Sequence, residues 1–195
     1  MTTGSVSPRR ADTRRNHERI LTVAADSLAR SEEVSFNAIA KRAEVGVGTV
    51  YRHFPTPEAL ILAVYRREVQ QIVDIVPRLL EQHPPEQAFR LWATDHVAHY
   101  MMTKRGLANA LRTATASRGE LPMDPYLAMV DAVGTLLAAN AEAGTVRPGL
   151  APETVLRGLV GMLFLNPESE WRSLAADLAD LLWRGMCARP CCDDR

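Results

Sequence analysis

Hydrophobic residues recur at three- and four-residue spacing along nearly the whole chain, and no stretch alternates with the period of two expected of a half-buried strand. The pattern predicts an all-α protein of about nine helices. The first, about Arg14 to Arg30, turns Ile20, Leu21, Ala24, Ala25 and Leu28 to one face. A polar break over 31–35 precedes a short second helix, about Phe36 to Ala43, with Phe36, Ile39, Ala40 and Ala43 as its apolar edge. Glu44 and Val45 turn tightly into a third helix, about Val47 to Phe54. Thr56 then suits an N-cap, Pro57 the first helical position and Glu58 the positive end of the dipole, so a fourth helix starts there. It runs to about Val76, where Pro77 kinks or ends it, and Pro84-Pro85 closes the segment. Further helices are expected at about Glu86–Thr103, Arg105–Ala116, Pro125–Ala143, Pro152–Leu165 and Ser169–Cys187. Gly144 caps the helix that ends at Ala143, and 117–124 is a loop.

The chain has 195 residues, 47% hydrophobic and 24% charged, which is globular rather than disordered composition. Met1 to Ser7 lacks the apolar core of a signal peptide. The longest apolar run, Val155 to Leu165, contains Arg157 and is far shorter than the roughly 20 residues that span a bilayer. A cytoplasmic protein without membrane contact is expected. Cys187, Cys191 and Cys192 lie together near the end and make no disulfide framework; they are either incidental or a thiolate cluster.

Formal net charge is zero, but residues 1–55 carry nine Lys or Arg against six Asp or Glu, and the remainder carries fourteen against seventeen. Phosphate would therefore be met by the N-terminal end. Two short helices joined by a tight turn, supported by a longer one, are the arrangement of a helix-turn-helix, whose second short helix enters the major groove. Val50 and Phe54, four apart, face the core; Thr49, Arg52 and His53 share a polar face. Arg52 offers a fork of donors for guanine or phosphate. The same face also fits an ordinary solvated surface. Arg9, Arg10, Arg14 and Arg15, on and just after a flexible arm over 1–12, would enter a minor groove or neutralise phosphate, or simply solubilise the chain.

The run from Phe36 to Leu60, above all Gly48-Thr49-Val50-Tyr51-Arg52-His53-Phe54, resembles the DNA-binding signature of the TetR family, and the first helix fits the same pattern. The resemblance covers roughly 13–72 and implies a helix-turn-helix domain there, with an effector-binding and dimerisation domain over 73–195. It implies that Val47 and Gly48 approach base edges and that Thr49, Tyr51 and His53 hold phosphate. Asn37 would sit near the DNA backbone, and Arg52 would read a base. Tyr51 has a second role open to it, packing the seam between the third and first helices. Two positions depart from the family pattern. Glu44 stands where Gly is frequent, at a cost on the order of 1 kcal/mol if left-handed. Pro57 stands where a phosphate-contacting Lys is frequent, leaving backbone N–H groups to meet an anion.

The resemblance also implies a homodimer that places two reading helices roughly 34–36 Å apart on a palindromic operator. Leu156, Leu159, Val160, Leu163 and Phe164 of the eighth helix, with Trp171, Leu174, Leu178, Leu181 and Leu182 of the ninth, form stripes that suit either that seam or the internal core. Gly158 and Gly161 permit close approach. Trp92, His96, Tyr100, Met101, Met123, Tyr126, Met129 and Val133 are candidates to line a small-molecule effector chamber, or are plain core. The implied function is a ligand-released repressor that shifts between two states. One rival is a regulator of the same fold without an effector. Another is a helical metal-assisted enzyme using Asp95, His96 and His99, against which no nucleophile–base motif, phosphate-cradling loop or full metal set is present. No cofactor is expected.

Overall fold

A computed structural model describes residues 8–30, 32, 34–116, 122–166 and 168–188. The side chains of Arg9, Arg10, Leu163 and Phe164, and all of Cys191 and Cys192, lie outside what is described. Among the described residues every regular element is helical, and no helix is long and apolar enough to cross a membrane. Two compact units fall within Met1–Arg67 plus Lys104–Leu121 and within Glu68–Thr103 plus Pro122–Arg195.

The first unit is built on α1 (Pro8–Ala29), α2 (Phe36–Arg42), α3 (Val47–His53), the start of α4 (Pro57–Asp74) and α8 (Arg105–Thr115). Helix α1 begins six residues before the expected Arg14, so 8–12, assigned by sequence to a flexible arm, is helical. Pro8 stands at the first helical position, where a missing N–H costs nothing, and Asp12 pairs with Arg15 one turn on. The apolar face of α1 is as expected: Ile20, Leu21, Ala24, Ala25 and Leu28 are all buried. Leu107 and Leu111 of α8 are buried as well, and α8 packs on α1, although its sequence position placed it with the C-terminal part. Ser35 caps α2 by accepting from the Ala38 N–H at 3.4 Å, and Thr56 caps α4 through the Ala59 N–H at 3.2 Å.

Helix α2 ends in a Schellman turn: the Val45 N–H reaches the Ala40 carbonyl at 3.0 Å while Glu44, at φ 53°, takes the left-handed conformation. The Glu44 carboxylate accepts from Arg19 of α1 at 2.6 Å, an exposed pair that offsets only part of the backbone cost.

The second unit contains the end of α4, α5 (Val76–Gln82), α6 (Pro85–Leu91), a π-helical segment (Trp92–Ala98), α7 (His99–Thr103), α9 (Met123–Glu142), α10 (Pro152–Val160), a 3-10 turn (Gly161–Phe164) and α11 (Trp171–Met186). Pro77 does stop α4, since its ring would collide with a carbonyl four residues back; it also sits in the first turn of a new helix, α5. Trp92 is fully buried, and its indole N–H donates at 2.9 Å to the carbonyl of Ile72, one of the groups left over at the end of α4. Asn140, fully buried on α9, donates to the carbonyls of Pro85 (2.9 Å) and Leu136 (2.8 Å) and accepts from the Thr145 hydroxyl. Arg90 of α6 bonds Asp180 of α11 at 3.0 Å and lies over the Trp183 ring. After α9 the chain turns through Gly144 (φ 71°), with the Thr145 N–H on the Asn140 carbonyl at 3.0 Å, the same turn that ends α2. An added Cβ at Gly144 meets no atom within 4 Å, so only the backbone conformation is at stake. Gly144→Ala is therefore expected to cost about 1 kcal/mol in urea-induced unfolding; an unchanged midpoint would contradict the assignment.

Candidate nucleic-acid interface

Helix α3 is oriented by its apolar edge. Val50 is fully buried and Phe54, which ends the helix, is 3% exposed. With those two fixed, the opposite edge presents Val47, Gly48, Tyr51 and Arg52 to solvent. Thr49 and His53 sit half-buried on the flank, not at the outermost position expected of them beside Arg52. Arg52 and Gly48 lie farthest around the helix from the direction of Val50 and Phe54, about 180° and 140° away, while Val47 is exposed as the first residue of the helix.

Several side chains are held in place. The Tyr51 ring packs edge-on against Phe36 of α2 at 4.8 Å, so it braces the seam with α2 rather than with α1. The His53 ring lies 5.3 Å from that of His17 on α1, and His17 also packs on Phe54 at 5.0 Å. Burial, then the neighbouring His17 and Arg52, hold the His53 imidazole below its ordinary pKa, so it is neutral at pH 7. Gly48 stands inside a helix, where glycine costs roughly 0.5–1 kcal/mol relative to alanine, yet nothing lies within 4 Å of an added Cβ. No internal neighbour requires a glycine there.

The cations divide into two sets. Arg19, Arg30, Arg42 and Arg67 are bound to Glu44, Glu32, Ser27 with Glu32, and Glu18, and Arg15 to Asp12. Arg14, Lys41 and Arg52 are exposed and make no hydrogen bond or ion pair among the described residues. Lys41 was missed by sequence reasoning; its place one turn after the exposed Asn37, on the outer side of α2, was the available signal.

Residues 20–64 match the profile described as bacterial regulatory proteins, tetR family, and residues 84–188 match that of the SbtR-like transcriptional regulator C-terminal domain. A TetR transcriptional regulator of Streptomyces coelicolor shares the fold with a TM-score of 0.71 at 37% identity, over 88% of this chain and 98% of that one. The chain belongs to the TetR family. The HTH-type transcriptional regulator SAR0097 of Staphylococcus aureus (strain MRSA252) is 35% identical over 78 residues, 38% of this chain. The HTH-type transcriptional repressor KstR of Mycolicibacterium smegmatis is 41% identical over 61 residues, 30% of this chain. These two matches span 41% and 30% of the relatives' own lengths.

In this TetR-family chain the residues assigned by sequence to an effector chamber differ in burial. Trp92, Met101 and Val133 are buried in the core of the second unit, and Tyr100, Tyr126 and Met129 are partly buried against it. Met123 is 60% exposed. His96 is half-buried, and burial lowers its pKa against the opposing pull of Asp95. Among the described residues no three His, Cys, Asp or Glu are arranged to hold a metal. The apolar stripes divide similarly. Leu156 and Leu159 are internal core, and Trp171, Leu178 and Leu182 pack against it. An added Cβ on Gly158 would lie 2.7 Å from Leu182, so that glycine serves the contact of α10 with α11 within one subunit. Val160, Leu174 and Leu181 are exposed.

The lowered pKa of His53 fixes the sign of a pH effect. The unfolded chain takes up its proton near pH 6.5 and the folded one only at lower pH, so stability is fully present above about pH 6.5 and falls as pH drops through that value. His96 adds a fall of the same sign. Urea unfolding between pH 7 and 5 should show a shallower loss of stability in His53→Asn than in the parent; equal slopes would contradict the burial of that ring.

Proposed function

We propose that the chain is a DNA-binding transcriptional regulator that reads a palindromic operator as a homodimer and is released as a repressor when a small molecule binds its second unit. The observation that carries the reading is the outer edge of α3: Val47, Gly48, Tyr51 and Arg52 are exposed together, and Arg52 has no partner among the described residues while Arg19, Arg30 and Arg67 are engaged. In this reading Arg52 forks onto a guanine edge, Val47 and Gly48 lie against base edges, and Thr49, Tyr51 and His53 meet phosphate. Neutral His53 donates one N–H to phosphate without adding charge. Asn37, Lys41 and Arg14 extend the phosphate footprint along α2 and α1, with Arg15, Arg9 and Arg10 beside them.

The dimer face is proposed along Leu174, Leu178, Leu181 and Gly185 of α11, which recur at helical spacing, with Val160 at the end of α10 and Gly161 just after it. An added Cβ at Gly161 or Gly185 meets nothing within 4 Å in the subunit, which leaves room for a second backbone. An effector that prefers the released state about 100-fold would supply roughly 2.7 kcal/mol of coupling. The KstR relative is itself described as a repressor. A cytoplasmic location goes with this role.

Selection of bound sequences from random duplex DNA is expected to return a palindrome. On that duplex Arg52→Ala should lose about 1–3 kcal/mol of affinity and relax one position, whereas Lys41→Ala should weaken all sequences alike and lower the salt slope by about one. Gly48→Ala should raise stability by roughly 0.5–1 kcal/mol and still bind DNA less well, because its methyl enters the space meant for the duplex. A pool with no enriched sequence would overturn the reading. Leu174→Glu with Leu181→Glu should give a monomer in sedimentation; a persisting dimer would move the interface elsewhere.

A further inference from the structure

The second unit contains a cleft of about 350 Å³, at the small end of the range for ligand sites, lined by Thr94, Asp95, His99, Trp171, Arg172, Ala175 and Ala176. None of the residues expected to line an effector chamber is among them. One wall is the π-helical segment running into α7, the other the first two turns of α11. π-helical turns inside α-helices are frequent at functional sites. Here the Thr94 hydroxyl, with one proton to give, lies 2.9 Å from the Arg90 carbonyl and 3.1 Å from the Asp95 carboxylate.

The charges in this cleft are complementary and unspent. Asp95 and Arg172 both line it, yet no ion pair joins them, and neither has another among the described residues. The Arg172 guanidinium lies over the Trp171 ring at 4.5 Å, and the His99 ring approaches the same indole at 6.2 Å and makes no hydrogen bond among the described residues. Elsewhere in the unit opposite charges have closed on each other: Arg90 and Arg184 both bind Asp180, and Arg90 also reaches Glu86. Ala175 and Ala176 keep the floor open. Leu174 and Leu181 fall roughly 160° around α11 from Arg172 and Ala176, so these two residues of the proposed dimer face point away from the Arg172 side of the cleft.

We propose that this cleft binds a small zwitterion of free amino-acid type, its ammonium on Asp95 and its carboxylate on Arg172 and His99. A molecule carrying both charges a few bonds apart bridges two groups held too far apart to pair. A singly charged molecule satisfies one group and brings an uncompensated charge beside the other. The proposal deepens the reading of an effector-responsive regulator and names the chemistry of its ligand.

The test is calorimetric titration of the full chain, without DNA, with a panel of the free L-α-amino acids and the straight-chain ω-amino acids up to six carbons. The N-acetylated and decarboxylated forms of each serve as single-charge controls. At least one zwitterion is expected to saturate with a Kd at or below about 1 mM, with both of its controls at least about tenfold weaker. Asp95→Asn and Arg172→Gln, both exposed changes checked by circular dichroism, should each abolish that discrimination. No saturation by any member, or equal binding by a singly charged control, would overturn the proposal. So would binding indifferent to both substitutions. Operator affinity with and without the bound zwitterion is read separately: binding that leaves it unchanged keeps the site and removes the effector role, whereas failure of operator binding alone leaves the cleft untouched.

Discussion

Burial of Val50 and Phe54 is the constraint on which the first unit turns. A helix of seven residues has little stability of its own, so α3 exists because its apolar edge is packed and because α1, α2 and the Schellman turn at Glu44 present that packing to it. Once those two side chains are inside, Arg52, on the opposite side of the helix, has to face out. The turn is under strain at Glu44 and is held by neighbours, through Arg19 on one side and the buried Ala40 and Ala43 on the other. Orientation of the reading edge is thus a consequence of core packing, and its chemistry is left free to vary.

The second unit solves a different problem. Its core is crossed by polar groups that are satisfied inside it: the Trp92 indole donates to the Ile72 carbonyl left over at the end of α4, and Asn140 donates to the Pro85 carbonyl and accepts from the Thr145 hydroxyl. Arg90 and Asp180 tie α6 to α11 on one side of the π-helical segment. On the other side Asp95 and Arg172 remain apart, and the difference between a closed and an open charge pair marks where the unit is stapled and where it has room for a guest.

Much of the first unit was legible in the amino-acid order because its signals are local. The Thr56 cap, the left-handed position at Glu44 and the alternation of Val50 and Phe54 with Arg52 each follow from a few adjacent residues. The start of α1 was missed because 8–13 lacks an apolar period, although Pro8 suits a first turn. In the second unit periodicity reported which residues share a face but not what covers that face. Spacing therefore left Leu156 and Leu159 open to a seam between subunits or to the core, and Trp92 open to a chamber wall or to the core; all three are buried within the subunit. The π-helical segment shifts the register after Leu91, and the cleft joins residues 94–99 to 171–176; neither leaves a mark in local spacing.

The central claim is that α3 lies in a major groove with Arg52 against a guanine. Dimethyl sulfate modification of guanine N7, a major-groove atom, measures this on the duplex the protein selects. Guanines should be protected in two half-sites one helical turn apart, with one guanine in each half losing protection in Arg52→Ala. Protection that survives that substitution unchanged, or guanines as reactive in the complex as in free DNA, would contradict that claim.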